Sequence, residues 1–271
     1  MIILYNFNKN LAEHCYLRHF KNIKEVVSKV QVKDEGYIIN ILKHGENSLI
    51  LTVLSAAHGK MVGFVKSAVS KKNLGVYQLG NKISFNAYAR VEENMAQFRG
   101  VELTVSNVVR FLTDEKKLAV LSAFCELFNV SIPENEPLEG LVRFISQFMD
   151  HLDDEMWLKN YAVLEFRLLY FLGIGLDLGT CAATGTIENL VFVSPKSGRA
   201  VCLEAGLPYK DKLFKYPQFA FDRTITPTKE DVLDLLKMNK FFLKKNFFDV
   251  HGLHFPISRD SLLEKLEYMK E

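Results

Sequence analysis

From Gly36 to Val105 the apolar positions repeat with a period of two. The runs GYIINILK, NSLILTVLS, KMVGFVKSA, NKISFNAYAR and AQFRGVELTV are rich in β-branched and aromatic residues. Turn residues separate them: HGE, AAHG and the longer VSKKNLGVYQLG. Such punctuated runs predict five strands. The fourth is the clearest, with Ile83, Phe85, Ala87 and Ala89 alternating with Lys82, Ser84, Asn86, Tyr88 and Arg90. That is the pattern of a strand buried on one face. Five short antiparallel strands in so few residues predict a small barrel, and the OB-fold is the common five-stranded form.

Beyond Val105 the period lengthens to that of a helix. Leu118, Leu121, Phe124, Cys125 and Phe128 make one apolar stripe, and Leu141, Phe144, Ile145, Phe148 and Met149 a second. Trp157, Tyr161, Leu164, Leu168 and Phe171 make a third, stopped by Gly173 and Gly175. Core packing accounts for these stripes, Cys125 included. Two strand-like pieces joined by a turn follow between Cys181 and Cys202. Two further helical patterns come last, with Thr228 and Ser258 as candidate caps. The expected class is therefore α+β: an N-terminal OB-fold β-barrel at 31–105, then an α-helical bundle at 106–271 carrying a small hairpin insert at 181–205.

Composition narrows the function classes more than it names one. With 271 residues, 48% of them hydrophobic, the chain can build a core without disulfides or metal. Its four cysteines, Cys15, Cys125, Cys181 and Cys202, include no C-x-x-C pair, which fits a reducing compartment and a cytoplasmic protein. No apolar run reaches the roughly 18 residues of a membrane span, and the N-terminus lacks the order of a signal peptide. The net charge of +2 is uninformative, but residues 105–180 hold six Lys/Arg against twelve Asp/Glu. An acidic middle segment should repel nucleic acid and confine it elsewhere.

Catalytic chemistry is not visible. The chain has no phosphate-cradling glycine loop, H-E-x-x-H or G-x-S-x-G. His251-x-x-His254 lacks neighbouring donors at metal spacing. The hairpin invites a metal reading, because a zinc ribbon would have a second cysteine three positions beyond each of Cys181 and Cys202. Those positions hold Thr184 and Ala205, and two thiolates cannot close a tetrahedral site. Cys181 and Cys202 are therefore expected as small buried residues, with neither metal nor cofactor. The barrel is more suggestive. Lys60, Val62, Phe64 and Lys66 share one face of the third strand, Lys71 and Lys72 follow in the loop, and Tyr88 and Arg90 end the fourth. Phe98 and Arg99 open the fifth. Cations can track phosphates while rings stack bases, though an ordinary solvated face would look similar.

Several stretches together resemble one family, the bacterial recombination mediator RecO. They are DEGYIINILKHGENSLILTVLSAAHGKMVGFVKSA, LEFRLLYFLGIGLDLGTCAATG, VFVSPKSGRAVCLEAGLPY and PISRDSLLEKL, in family order across roughly residues 34–270. The resemblance implies an OB-fold, a helical bundle and a small, sometimes zinc-bearing insert, here degenerate because each cysteine pair has lost its second member. It implies a non-enzymatic, nucleoid-associated role in gap repair. Single-stranded DNA, RecR and the acidic, Phe-ended C-terminal tail of the single-strand-binding protein would be the partners, and RecA an indirect one. Some such proteins also anneal strands. On that reading the DNA site comprises Lys43, Lys60, Phe64, Lys66, Lys71, Lys72, Tyr88, Arg90, Phe98 and Arg99. The tail site would draw on Arg110, Lys116, Lys117 and Arg143. The competing reading is an adaptor that works through RecR without DNA on its barrel. Residues 1–30 are surplus to the family pattern, either a lineage-specific extension or an over-long gene start.

Overall fold

The period-two runs pair into a closed barrel in the computed structural model, which describes residues 30–70, 73, 75–89, 95–138 and 140–268. The expected N-terminal extension lies outside the described residues but for Val30, as do Lys71, Lys72 and Arg90. The strands are β1 (Val30–His44), β2 (Ser48–Ser55), β3 (Gly59–Val65), β4 (Lys82–Ala89) and β5 (Ala96–Val105). Their order around the barrel is β1-β2-β3-β5-β4, the OB-fold arrangement. β1 starts at Val30 rather than Gly36 because it serves two neighbours. Its first half pairs with β4, from Val30 opposite Ala89 to Tyr37 opposite Lys82. Its second half pairs with β2, from Gly36 opposite Ser55 to His44 opposite Ser48. One long strand shared in this way closes the sheet and removes its edges. Inside lie Ile38, Leu49, Leu51, Val53, Val65, Ile83, Phe85, Ala87 and Phe98.

The helical part is built from α1 (Glu115–Ser131), α2 (Val142–Asp150), α3 (Trp157–Phe171), α4 (Lys229–Leu243), α5 (Ile257–Asp260) and α6 (Leu262–Tyr268), with shorter turns between them. The three predicted stripes face one common core. Gly173 stops α3 as expected. It takes a left-handed φ of +74° and lets the Ile174 N–H reach back to Leu169 O at 2.8 Å. Thr228 caps α4 in a reciprocal box with Asp231, which satisfies two otherwise orphaned N–H groups. Ser258 is not a cap. Pro256 precedes α5, and Ser258 instead donates its N–H to the Glu126 carboxylate at 2.9 Å, tying α5 to α1. A fully buried ion pair holds the far side together: Arg259 Nη2 donates to Glu165 at 2.8 Å and to Leu236 O at 2.9 Å, bridging α3, α4 and α5.

The barrel and the helices share a core. Tyr37, Ile39 and Leu54 point outward from β1 and β2 and join the helical cluster around Phe111, Leu121 and Phe124. Cys125 Sγ lies 3.7 Å from Ile38 O, and Lys60 Nζ donates to Asn129 O at 2.9 Å. The expected hairpin is part of a four-stranded sheet: β6 (Asp177–Cys181), β7 (Leu190–Val193), β8 (Arg199–Cys202) and β9 (Phe214–Lys215), in the order β6-β8-β7-β9. β7 and β8 form the predicted antiparallel pair. β6 and β9 were invisible to periodicity because strands this short carry less than one clear alternation. No described helix is long and apolar enough to cross a membrane.

Candidate nucleic-acid interface

Strand register sets an outward-facing row around the open end of the barrel. Leu42 lies opposite Ile50, Ile50 opposite Phe64, Phe64 opposite Gln97, Gln97 opposite Tyr88, and Tyr88 opposite Gln31. Their chain neighbours Leu49, Leu51, Val65, Phe98 and Ala87 all point into the barrel core, so alternation sends the row outward. Side chains opposite one another across strands sit close enough to form one surface. The Arg99 guanidinium lies 4.8 Å from the centre of the Tyr88 ring, and its Nε donates to Gln97 Oε1 at 2.8 Å. The His44 and Phe64 rings meet edge to face at 5.2 Å. Lys66 is exposed just past the end of this row, and Lys43, opposite inward-facing Leu49, is exposed at the barrel mouth. Two half-exposed rings, flanking amides and three cations can stack bases and track phosphates.

The sequence-based candidates divide on this geometry. Lys43, Phe64, Lys66, Tyr88 and Arg99 gather at the open end. Phe98 does not belong with them. It is 2% exposed, packs on Phe85 at 4.4 Å, and fills the space left by the missing side chain of Gly63. A Cβ on Gly63 would stand 2.3 Å from the Phe98 ring, so the glycine exists for that ring. The alternation of Gln97, Phe98 and Arg99 carried the signal, since a residue between two polar neighbours on a strand faces inward. Lys60 is also removed. It shares the parity of Phe64 on β3, but its ammonium donates to Asn129 O at the carbonyl end of α1, and burial pulls its pKa down. Lys71, Lys72 and Arg90 lie outside the described residues. Gln97 and Leu42 joined the row only through register, and His44 only through its ring contact with Phe64, neither of which a single sequence shows.

The four residues expected at a tail site are spread over three places. Arg110 and Lys117 both sit 5.2 Å from the centre of the Phe111 ring and pair with Asp153 and Asp114 respectively. Arg143 lies 4.7 Å from the Phe144 ring, which Arg167 also approaches, at 5.0 Å. Lys116 lines a cleft of about 320 Å³ with Trp157, Lys159, Pro227, Lys229 and Val232. The first turns of α1, α3 and α4 all border this cleft. Helix N-termini carry partial positive charge and favour carboxylates. Trp157 packs against the helical core as its stripe predicts and also lines this cleft.

Two family profiles match the barrel and the helical part as far as residue 246. The one described as Recombination protein O N terminal covers residues 29–107, and Recombination protein O C terminal covers 112–246. The chain belongs to the RecO family. The DNA repair protein RecO of Bartonella quintana is 36% identical over 238 residues, 87% of this chain and 97% of that protein. Its namesake in Methylocella silvestris is 34% identical over 241 residues, 88% of this chain and 97% of its own length.

The β6–β8 ribbon lacks the four-ligand set of a structural zinc site. Cys181 and Cys202 are buried with their sulfurs 3.5 Å apart, and Thr184 Oγ1 stands 3.7 Å from Cys202 Sγ. The position that would bring a fourth donor is Ala205, which packs with Val201 and Phe192 in a small apolar cluster. Among the described residues no three His, Cys, Asp or Glu side chains converge as a metal site. His251 is engaged elsewhere, its Nδ1 2.8 Å from Phe247 O. This donor set does not fit a tetrahedral zinc ion, which needs four ligands.

Proposed function

We propose that the protein is a recombination mediator in DNA repair and holds single-stranded DNA across the open end of its barrel. In this reading it acts with RecR to load RecA on gaps coated by single-strand-binding protein, and it can anneal complementary strands. It does so by binding, without catalysis, in the bacterial cytoplasm at the nucleoid. Its relatives carry the name DNA repair protein. The observation that supports DNA on the barrel is the row of Tyr88, Gln97, Phe64 and Ile50 with Arg99 and Lys66 beside it. Each stacked base contributes about 1–3 kcal/mol, and each neutralised phosphate adds to the salt dependence. Fluorescence anisotropy with a labelled oligonucleotide, with and without RecR, tests this. Binding by the protein alone, weakening steeply with salt, is the expected result. Binding that appears only once RecR is added would favour the adaptor reading.

The Lys116–Trp157–Lys229 cleft favours a second contact, with the acidic tail of single-strand-binding protein. Lys116 and Lys229 suit the tail's carboxylates, and Trp157, Pro227 and Val232 suit its terminal Phe, although Asp114 and Glu155 border the same cleft. Titration of a fluorescent tail peptide should show binding that K116E/K229E weakens at least about tenfold, the loss of two charge-assisted contacts. Undiminished binding by that variant would move the tail elsewhere.

A further inference from the structure

The described chain holds three cysteines in two different chemical settings. Cys125 is sealed in the helical core, 1% exposed, and burial pushes its thiol up to about 12, only partly offset by a backbone hydrogen bond from Gly80. It is inert. Cys181 is the reverse. Burial also pushes its thiol up, but hydrogen bonds from the Thr184 hydroxyl and from the backbone N–H groups of Cys202, Ala183 and Thr184 outweigh burial and bring it down to about 6. The N–H of Cys202 lies 3.2 Å from Cys181 Sγ. A cradle of donors around one sulfur is how a protein stabilises a thiolate.

The second sulfur is already in place. Cys181 ends β6 and Cys202 ends β8, the two strands run parallel, and their sulfurs lie 3.5 Å apart. A disulfide needs the sulfurs at about 2.05 Å, so each has under 1 Å to travel. Next to Cys181 the turn Ala182–Gly185 is exposed along its whole length, so the backbone that carries this sulfur is free to adjust. No core helix has to move.

We infer that Cys181 and Cys202 form a reversible dithiol–disulfide site whose oxidant is a hydroperoxide. The Cys181 thiolate attacks the terminal peroxide oxygen, forming an S–O bond and breaking the O–O bond. The departing hydroxide or alkoxide takes up a proton and leaves as water or alcohol. Cys202 sulfur then attacks Cys181 sulfur, the S–S bond forms, the S–O bond breaks, and hydroxide leaves with the Cys202 proton as a second water. Two thiols have lost two electrons and the peroxide has gained them. A small thiol reverses the reaction by exchange. The site goes beyond DNA binding: it sits on the ribbon, not on the barrel row. In a reducing compartment such a bond forms only transiently, under oxidant.

The test uses the full-length wild-type protein and hydrogen peroxide, followed by alkylation and peptide mass mapping, which resolves all four cysteines separately. A peptide pair joining Cys181 to Cys202, lost on adding dithiothreitol, is expected, with oxidation at least about tenfold faster than at Cys125. In C202S the reaction should halt at a Cys181 sulfenic acid that dimedone traps. Two results would overturn the inference: Cys181 and Cys202 both remaining alkylatable after peroxide and unfolding, or Cys181 linking instead to Cys15 or to a second molecule. Because the decisive mapping needs no substitution, a variant that folds poorly does not blunt it.

Discussion

The two ends of β3 hold two lysines with opposite fates, Lys60 near its start and Lys66 in the turn just after Val65. At one end Lys60 reaches the carbonyl end of α1, beside Tyr37 and Leu54, which have joined the helical core. At the other end Lys66 is exposed next to Phe64, whose half-buried ring meets the His44 ring edge to face. The barrel's outer surface thus has a docked end and an open end. The docked end explains why the barrel stays fixed to the helices; the open end is where a flexible chain can lie. Residue type does not separate them, because both hold apolar, aromatic and basic residues. What separates them is whether another element of the same chain already covers the surface.

The largest effects belong to residues that serve packing. F98A should cost about 3–5 kcal/mol of unfolding free energy, since it empties the volume against Phe85 and Gly63. Leu54→Ala at the docked end should cost about 2–5 kcal/mol by opening the shared core. Urea denaturation measures both. Any DNA affinity lost by either variant should return at a temperature where the protein remains folded. A Phe98 variant of native stability with weakened DNA binding would break the division between core and surface. Lys60→Met keeps most of the packed stem and loses the bond to Asn129 O, but it also relieves the burial of the charge, so stability should fall by no more than about 1 kcal/mol. Its salt dependence of DNA binding should match wild type. A shallower slope would return Lys60 to the DNA site.

The docked end marks the limit of what the sequence can show. The five strands, the inward sets of β4 and the three helical stripes were all legible, because burial on one face imprints a period. The Thr228 cap and the Gly173 stop were legible from local chemistry. Lys60 was not, since its parity agrees with Phe64 and only the arrival of α1 distinguishes them. Phe98 was legible in principle but was overruled by the pairing of an aromatic with an adjacent arginine. The Gln97 and Ile50 contributions needed register, and the cleft at Lys116 needed three helix starts that are far apart in the chain. In each case the missing information was tertiary, not local.

At the open end the effects should be smaller and should fall on binding alone. Phe64→Ala should weaken single-stranded DNA binding by about 1–3 kcal/mol, the worth of one stacked base. Unfolding free energy should change much less than for Phe98→Ala, because Phe64 is only half-buried. Tyr88→Ala should behave alike and also release Arg99 from its ring. The smallest predicted change is the most diagnostic. K66E and R99E should each lower the slope of log affinity against log salt by about one counterion, and affinity should fall evenly across oligonucleotide sequences. That result would mark both cations as phosphate contacts. A change in sequence preference with the slope intact would instead mean that Arg99, held over Tyr88 and by Gln97, positions a stacking ring while Lys66 alone meets the backbone.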